Sequence, residues 1–210
     1  MIQVFIADDH SLIREGFKKI LKEESDITVA GESGNPFELA DKIISLKVDV
    51  LILDINLPGK SGLDVLKEIK ILKPGQKILI LSMHPEERFA VRSLKAGASG
   101  YLTKDSAPDE LVKAIRKVAS GGKYISPNLA EKIAGSLDTD MTRPAHELLS
   151  DREFQIMHMM ALGKSQTIIA DELALSLSTV NTYRTRVLEK LNISSNAELI
   201  HYAITNKLID

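Results

Sequence analysis

Short apolar runs alternate with amphipathic stretches over the first 121 residues of the chain. The apolar runs have the length of buried strands, and the stretches between them repeat their apolar residues at the helical period. Five such β–α pairs require right-handed crossovers, so they predict an α/β doubly wound, five-stranded parallel sheet with helices on both faces. The predicted strands are Gln3–Ala7, Ile27–Gly31, Val48–Asp54, Lys77–Ser82 and Gly100–Thr103, and the predicted helices span about 12–21, 36–46, 62–72, 86–96 and 107–120.

The alternation ends at residue 121 and a different organisation follows. Residues 122–147 are predicted to be a linker, in which Asn128–Leu137 could form a short helix. Residues 148–210 contain only helical patterns and predict a small all-α domain of four helices. These helices span about 151–162, 166–173, 177–191 and 196–206, and each follows a serine that suits an N-cap: Ser150, Ser165, Ser176 and Ser195.

Composition excludes several classes of protein. The chain has no cysteine, so disulfides and thiolate metal sites are excluded. The first apolar run stops at Asp8 without a basic flank, and no later run has membrane-spanning length. We therefore expect a soluble, cytoplasmic protein with no membrane partner. Lys and Arg (27) nearly balance Asp and Glu (29), so any nucleic-acid partner must be argued from local features.

Polar residues stand where the predicted strands end. Asp8 and Asp9 end the first strand, Asp54 the third and Ser82 the fourth, and Lys104 follows the fifth. In open parallel sheets, ligands bind beyond the carboxyl ends of the strands. Each residue alone is more often a helix cap or a solvated side chain, but their common position predicts one site.

The chemistry of this set favours magnesium and a phosphoryl group. Asp9 and Asp54, with a backbone carbonyl near Asn56 and water, supply the all-oxygen ligands that Mg²⁺ prefers. Asp54 is then placed as a nucleophile toward phosphorus. Lys104 can pair with the phosphoryl oxygens, and the Ser82 hydroxyl can donate to another of them.

Four segments of this half resemble the receiver domain of two-component response regulators: ADDH (7–10), LILDINLPGKSG (51–62), LILSMH (79–84) and KAGASGYLTKD (95–105). The resemblance covers about 1–121 and implies a flavodoxin-like fold. It implies that Asp54 accepts a phosphoryl group from a sensor histidine kinase or a small phosphodonor. It assigns Mg²⁺ directly to Asp9 and through water to Asp8, and it makes Ser82 and Tyr101 the conformational switch. An ordinary half-buried strand aromatic is the alternative for Tyr101.

This sequence departs from the receiver pattern at two positions. Asp105 follows Lys104 where many receivers have proline, so a cis bond there is not assumed. Met83 is larger than the residue usually found after the strand-end Ser82, and we expect it to narrow access to the phosphorylation site. We hypothesise that Asn56 and His84 flank the path of attacking water and set the lifetime of the phosphoryl group; a solvent-exposed loop position for His84 is an equal alternative.

The sequence pattern of the helices in the second half indicates a helix-turn-helix. Ile168, Ile169 and Leu173 are expected to form an apolar face before a tight connection at 174–175. On the next helix, four residues are expected to face the core: Val180, Tyr183, Val187 and Leu191. The opposite side is expected to present base-contacting residues to the major groove: Ser178, Asn181, Thr182, Thr185 and Arg186. Phosphate contacts are expected from Thr179, Arg184, Lys190 and Lys164.

Residues 149–200 resemble the LuxR-type helix-turn-helix of the NarL/FixJ subfamily, most clearly in Leu149-Ser150-x-Arg152-Glu153 and Leu175-Ser176-x-Ser178-Thr179-Val180. The match weakens where Asn181 and Tyr183 replace the commoner Lys and His. The resemblance implies binding to double-stranded promoter DNA. A merely solvated helix face is the alternative, since residues 142–210 hold seven Lys and Arg against eight Asp and Glu. The last helix is a candidate dimer face, although core packing explains its apolar residues equally well.

Together these features predict a phosphorylation-dependent transcriptional regulator that dimerises when phosphorylated. It is not expected to be an enzyme beyond self-phosphorylation and slow autodephosphorylation at Asp54. A Mg²⁺-dependent phosphohydrolase with an aspartyl-phosphate is the first alternative, but its DxDxT motif is replaced by Asp8-Asp9-His10-Ser11 and no cap insertion is present. The second alternative is a phosphorylation-independent regulator, which the intact acidic set argues against.

Overall fold

The computed structural model describes residues 1–83, 86–126, 130–131 and 144–209. The chain divides into two compact units, residues 1–139 and 140–210. The short helix expected at Asn128–Leu137 and the residue His84 lie outside the described residues, apart from two helical positions at 130–131. Nowhere in the described ranges does a helix combine the length and apolarity that a membrane crossing requires.

The first unit is built on one five-stranded parallel sheet, as predicted. Its strands are β1 (Ile2–Ala7), β2 (Ile27–Ser33), β3 (Val50–Asp54), β4 (Lys77–Ser82) and β5 (Gly100–Thr103). Their spatial order is β2-β1-β3-β4-β5 and every pair is parallel. The strand order reverses between β1 and β3, and residues that follow those strands are therefore brought to a common crevice.

Five helices connect and follow the strands: α1 (Ser11–Lys22), α2 (Leu39–Ser45), α3 (Gly62–Leu72), α4 (Glu86–Lys95) and α5 (Ala107–Ala119). The apolar residues of α1 and α5 pack with β1, β3 and β4 in one cluster that includes Phe17, Ile52 and Ile115. Burial of this apolar face is the main force that holds the helices on the sheet.

One local expectation differs from the structure. Helix α2 begins three residues later than predicted, because the Asn35 side chain accepts a hydrogen bond from the Phe37 N–H (3.0 Å) in a turn around Pro36. Ser106 precedes α5 but does not cap it with its side chain. Its hydroxyl bonds back to the carbonyl of Thr103 at 3.1 Å instead.

The second unit contains a 3₁₀ helix, Ala145–Leu148, and then four α-helices, as predicted: α6 (Asp151–Ala161), α7 (Gln166–Glu172), α8 (Leu177–Leu191) and α9 (Asn196–Thr205). All four expected serines accept a hydrogen bond from a backbone N–H three residues on. Ser150 also forms the reciprocal capping box with Glu153, and at the last helix the Glu198 carboxylate accepts a hydrogen bond from the Ser194 N–H at 2.7 Å.

The core of the second unit corrects one expectation. Ile169, Leu173 and Val180 are buried, but Ile168 is 47% exposed and does not belong to the apolar face. Helix α7 is only seven residues long. The chain turns sharply two residues after its end, at Ala174, whose φ is +50°. On α9, Leu199 and Ala203 are fully buried, so core packing explains that pair, whereas Ile204 is exposed.

Candidate functional site

Lys104 joins two buried carboxylates at the carboxyl edge of the sheet. Its Nζ lies 2.7 Å from Oδ2 of Asp54 and 2.7 Å from Oδ2 of Asp8. Both carboxylates are inaccessible to solvent, because β1 and β3 are central strands covered on both faces. The structure therefore brings together three residues that the sequence placed only at the ends of separate strands.

Asp9 and His10 complete the cluster at its solvent side. The ring Nδ1 atom of His10 lies 2.8 Å from Asp9 Oδ1 and 3.2 Å from Asp8 Oδ1. The backbone N–H of His10 donates to Asp8 Oδ1 at 2.8 Å. One ligand atom from each of Asp8, Asp9, His10 and Asp54 lies within 4.8 Å of the others. A group rich in carboxylate oxygens suits a hard divalent cation, so the cluster can hold one. His10 was not predicted as a site residue, although its position directly after the two aspartates was a signal.

The loop after β3 holds the Asp54 side chain in place. The Asn56 N–H donates to Asp54 Oδ1 at 3.1 Å, and the Gly62 N–H donates to the Ile55 carbonyl at 2.9 Å. A Cβ at position 62 would lie 2.1 Å from the Asp54 carbonyl oxygen, so only glycine allows α3 to start this close to β3. The carboxylate is thus fixed on one side by the backbone and on the other by Lys104.

Charge and burial act in opposition at this site. Burial raises the pKa of the Asp54 carboxyl; the Lys104 ammonium opposes that shift and the Asp8 charge reinforces it. Burial alone would lower the pKa of Lys104, but the ion pairs with Asp54 and Asp8 outweigh it and raise that pKa. The ammonium therefore stays charged, and further positive charge beside Asp54 would favour its ionised form.

The two residues expected to form the switch lie on neighbouring strands. Ser82 is fully buried at the end of β4, and its carbonyl accepts a hydrogen bond from the Lys104 N–H at 2.8 Å. Tyr101 on β5 is fully buried rather than half-buried. Its N–H donates to the Tyr124 carbonyl at 3.0 Å. Met83 is 59% exposed next to Ser82, at the position where we expected it to narrow access.

In the second unit, helix α8 presents a polar face. All five residues expected to contact bases are exposed: Ser178, Asn181, Thr182, Thr185 and Arg186. Val180, Val187 and Leu191 are buried on the opposite side, as predicted, while Tyr183 is only partly buried. Five residues line a shallow cavity of about 320 Å³ on this face: Ser178, Thr179, Thr182, Tyr183 and Arg186.

The cations expected to contact phosphates have partners within the unit. Lys190 pairs with Glu153 of the capping box at 2.6 Å, and Lys164 pairs with Glu172 at 2.6 Å. Arg184 donates to Asn196 at 3.1 Å. Arg186 is the exposed cation of this helix that forms no ion pair within the part of the chain that the structure describes.

Comparisons with known proteins agree with this arrangement. The response regulator receiver domain family matches residues 4–116, and the family described as bacterial regulatory proteins, luxR family, matches residues 147–203. The chain is 38% identical to response regulator GacA of Pseudomonas viridiflava, over 100% of this chain and 99% of that protein. It is 39% identical to response regulator UvrY of Escherichia coli K12, over 99% and 96% of the two chains.

Solved structures are similar over nearly the whole chain. The RcsB response regulator of Salmonella typhimurium is 28% identical with a TM-score of 0.71, over 97% of each chain. RcsB of Salmonella enterica serovar Typhimurium bound to promoter rprA in the presence of phosphomimetic BeF3- is 27% identical with a TM-score of 0.67, over 96% of this chain and 97% of that one. The chain belongs to the two-component response regulators of the NarL/FixJ subfamily, with a receiver domain and a LuxR-type DNA-binding domain.

Proposed function

We propose that Asp54 accepts a phosphoryl group from a sensor histidine kinase, or from a small phosphodonor, in a Mg²⁺-dependent reaction. Phosphorylation would then promote dimerisation and sequence-specific binding of promoter DNA by the second unit, in the cytoplasm. The observation that carries the proposal is the Lys104 ammonium, 2.7 Å from the buried carboxylates of both Asp54 and Asp8, with Asp9 beside them.

Each residue of the cluster has a definite part in this chemistry. A carboxylate oxygen of Asp54 attacks phosphorus; an O–P bond forms as the bond to the donor's leaving group breaks. Lys104 pairs with the phosphoryl oxygens as the negative charge of Asp54 is consumed in the acyl phosphate. The carboxylates of Asp9 and Asp54 would hold Mg²⁺ directly and Asp8 through water, with the carbonyl near Asn56 as a further ligand. Mg²⁺, when bound, neutralises charge on the transferring phosphoryl group.

The new charge is expected to act through Ser82 and Tyr101. The phosphoryl group places strong acceptor oxygens near the Ser82 hydroxyl, and donation from that hydroxyl would favour one conformation of the β4–β5 region. Tyr101 lies two residues from the carboxyl end of β5, so its packing would respond to the same movement. Asn56 and His84 remain predicted determinants of the phosphoryl lifetime.

DNA binding is supported by the RcsB structure with a promoter and a phosphomimetic, and by another that holds two RcsB dimers bound to two parallel DNAs. We assign this binding to the exposed face of α8. Five residues are proposed to contact bases (Ser178, Asn181, Thr182, Thr185 and Arg186) and four to contact phosphates (Thr179, Arg184, Lys190 and Lys164). The paired lysines Lys164 and Lys190 would have to leave their carboxylate partners to reach the DNA.

The decisive experiment compares the wild-type chain with Asp54→Asn, using acetyl phosphate and Mg²⁺. We expect wild type to take up one phosphoryl group, to shift on a phosphate-affinity gel, and to bind a selected duplex more tightly after phosphorylation. Asp54→Asn should show neither change. Phosphorylation of the variant at another residue, or DNA affinity indifferent to the donor, would refute the mechanism. Rapid multiple turnover of a small phosphate ester would instead favour an enzyme, and we expect none.

A further inference from the structure

Two threonines on the exposed face of α8 have turned their hydroxyl groups back onto the helix. Thr182 Oγ1 donates to the Ser178 carbonyl at 3.0 Å, and Thr185 Oγ1 donates to the Asn181 carbonyl at 3.1 Å. Each hydroxyl has a single proton to donate. Neither group can therefore donate to a phosphate, to guanine or to thymine O4 without breaking its present bond.

The remaining hydroxyls near the start of α8 are also engaged. Ser176 caps the helix through the Thr179 N–H at 3.1 Å. Its Oγ lies 2.8 Å from Ser178 Oγ and 2.7 Å from Thr179 Oγ1. This network turns the N-terminal hydroxyls toward one another, so the capping function accounts for their polarity.

Two side chains on the same face keep their polar groups available. Neither the Asn181 amide nor the Arg186 guanidinium has a side-chain partner within the described ranges. Asn181, Thr182, Thr185 and Arg186 follow the spacing i, i+1, i+4, i+5, which places them on one side of the helix. Two exposed threonines thus lie between two polar side chains that can pair with bases; the hydroxyl protons of the threonines are committed, and their methyl groups face outward with no such commitment.

We propose that Thr182 and Thr185 recognise thymine through methyl–methyl contact, while Asn181 and Arg186 supply the hydrogen bonds of base recognition. In the major groove, thymine alone presents a methyl group, and a threonine methyl is a suitable apolar partner for it. This inference rests on the proposed DNA-binding function and adds the chemical class of base read at two positions. The preferred half-site then contains thymines beside the bases that Asn181 and Arg186 contact.

The experiment first selects preferred duplexes from a random library with the full-length phosphorylated chain. Each thymine of the selected half-site is then replaced singly by uracil, which removes only the methyl group. We expect one or two positions at which uracil weakens binding about fourfold, the value of one buried methyl group. Thr182→Ser or Thr185→Ser should weaken binding to the thymine duplex by a similar factor, with the helix bond retained.

Combining each serine variant with each uracil duplex shows which threonine contacts which thymine. At the contacted position, the serine variant should show no additional loss on the uracil duplex, because the methyl pair is already broken. The matched variants Thr182→Val and Thr185→Val keep the methyl group and should still distinguish thymine from uracil about fourfold. Selective binding that is unaffected by uracil and by the serine changes would overturn this inference alone, as would valine variants that no longer distinguish the two bases. Failure to select any duplex would overturn the proposed function and this inference with it.

Discussion

The ammonium of Lys104 lies 2.7 Å from Oδ2 of Asp54, a residue 50 positions earlier in the chain, and the two side chains are 6% and 1% exposed. The buried Lys104 cation lies between Asp54 and Asp8. It offsets the repulsion between their two carboxylates, neither of which has access to solvent. The pair therefore has a structural consequence as well as a proposed chemical one, because removing one partner leaves uncompensated buried charge.

Lys104→Gln should lower the free energy of unfolding by about 3 kcal/mol in EDTA at neutral pH, since two buried carboxylates would then lack their cation. Mg²⁺ should restore part of this loss, whereas it should do less for the wild-type chain. Urea unfolding followed by circular dichroism, with and without Mg²⁺, measures both effects. Lys113→Gln, which changes an exposed lysine of α5, is the matched control and should have little effect. Equal stability of the two variants would contradict this assignment of charge.

Gly62→Ala should destabilise the first unit by about 1–3 kcal/mol and slow phosphoryl uptake at Asp54. The added Cβ would meet the Asp54 carbonyl oxygen at 2.1 Å and the Ile55 Cα at 2.7 Å, so the backbone that carries the phosphoacceptor has to move. Gly75→Ala is the control, because nothing lies within 4 Å of the Cβ it would add. The two variants are compared by thermal unfolding and by the rate at which acetyl phosphate labels Asp54. Normal stability and labelling of Gly62→Ala would show that the close approach of α3 is not required.

Glu153→Gln should lower the unfolding free energy by about 1 kcal/mol at pH 7, because the ion pair with Lys190 is lost while an amide can still cap. Burial works to raise the pKa of Glu153, but Lys190 and the Ser150 N–H outweigh it and lower that pKa. The stabilisation is therefore complete above the ordinary glutamate pKa of about 4.3 and is lost as the pH falls through the lowered value.

Urea unfolding of both chains from pH 7 down to the acid range would follow that loss. The two stabilities should converge as Glu153 becomes protonated, and Glu189→Gln, an exposed glutamate of α8, should show no such pattern. A difference between wild type and Glu153→Gln that grows on acidification would have the wrong sign for this ion pair.

Arg186→Gln should weaken binding to a selected duplex by about 1–3 kcal/mol and relax discrimination at one base pair, as expected for a guanidinium that contacts guanine. Lys164→Gln should have a smaller and sequence-independent effect, because Lys164 is already paired with Glu172. Fluorescence anisotropy at several salt concentrations separates the two kinds of contact. A larger loss from Lys164→Gln than from Arg186→Gln would reverse this ranking of the two cations.

Local features of the sequence determined the elements of this protein. The period of the apolar residues predicted the five strands and the helices, with shifts of only a few residues at most ends. Ser150, Ser165, Ser176 and Ser195 each begin a helix because an N-cap acts within one turn of the backbone and needs no distant partner. Right-handed β–α–β crossovers predicted a parallel sheet, and parallel strands place Asp8, Asp54 and Lys104 at one edge of it, although the strand order itself was not predicted.

Tertiary structure alone decided which distant side chains are paired and which apolar residues of a short helix are buried. Nothing near Ile168 in the sequence indicates that it faces solvent while Ile169 is buried, since a helix of seven residues leaves its apolar face poorly defined. Lys190 and Glu153 are 37 residues apart, and their ion pair depends on how α6 and α8 pack. Pairing energies act between atoms a few ångströms apart, so charges distant in sequence acquire partners only when the chain has folded.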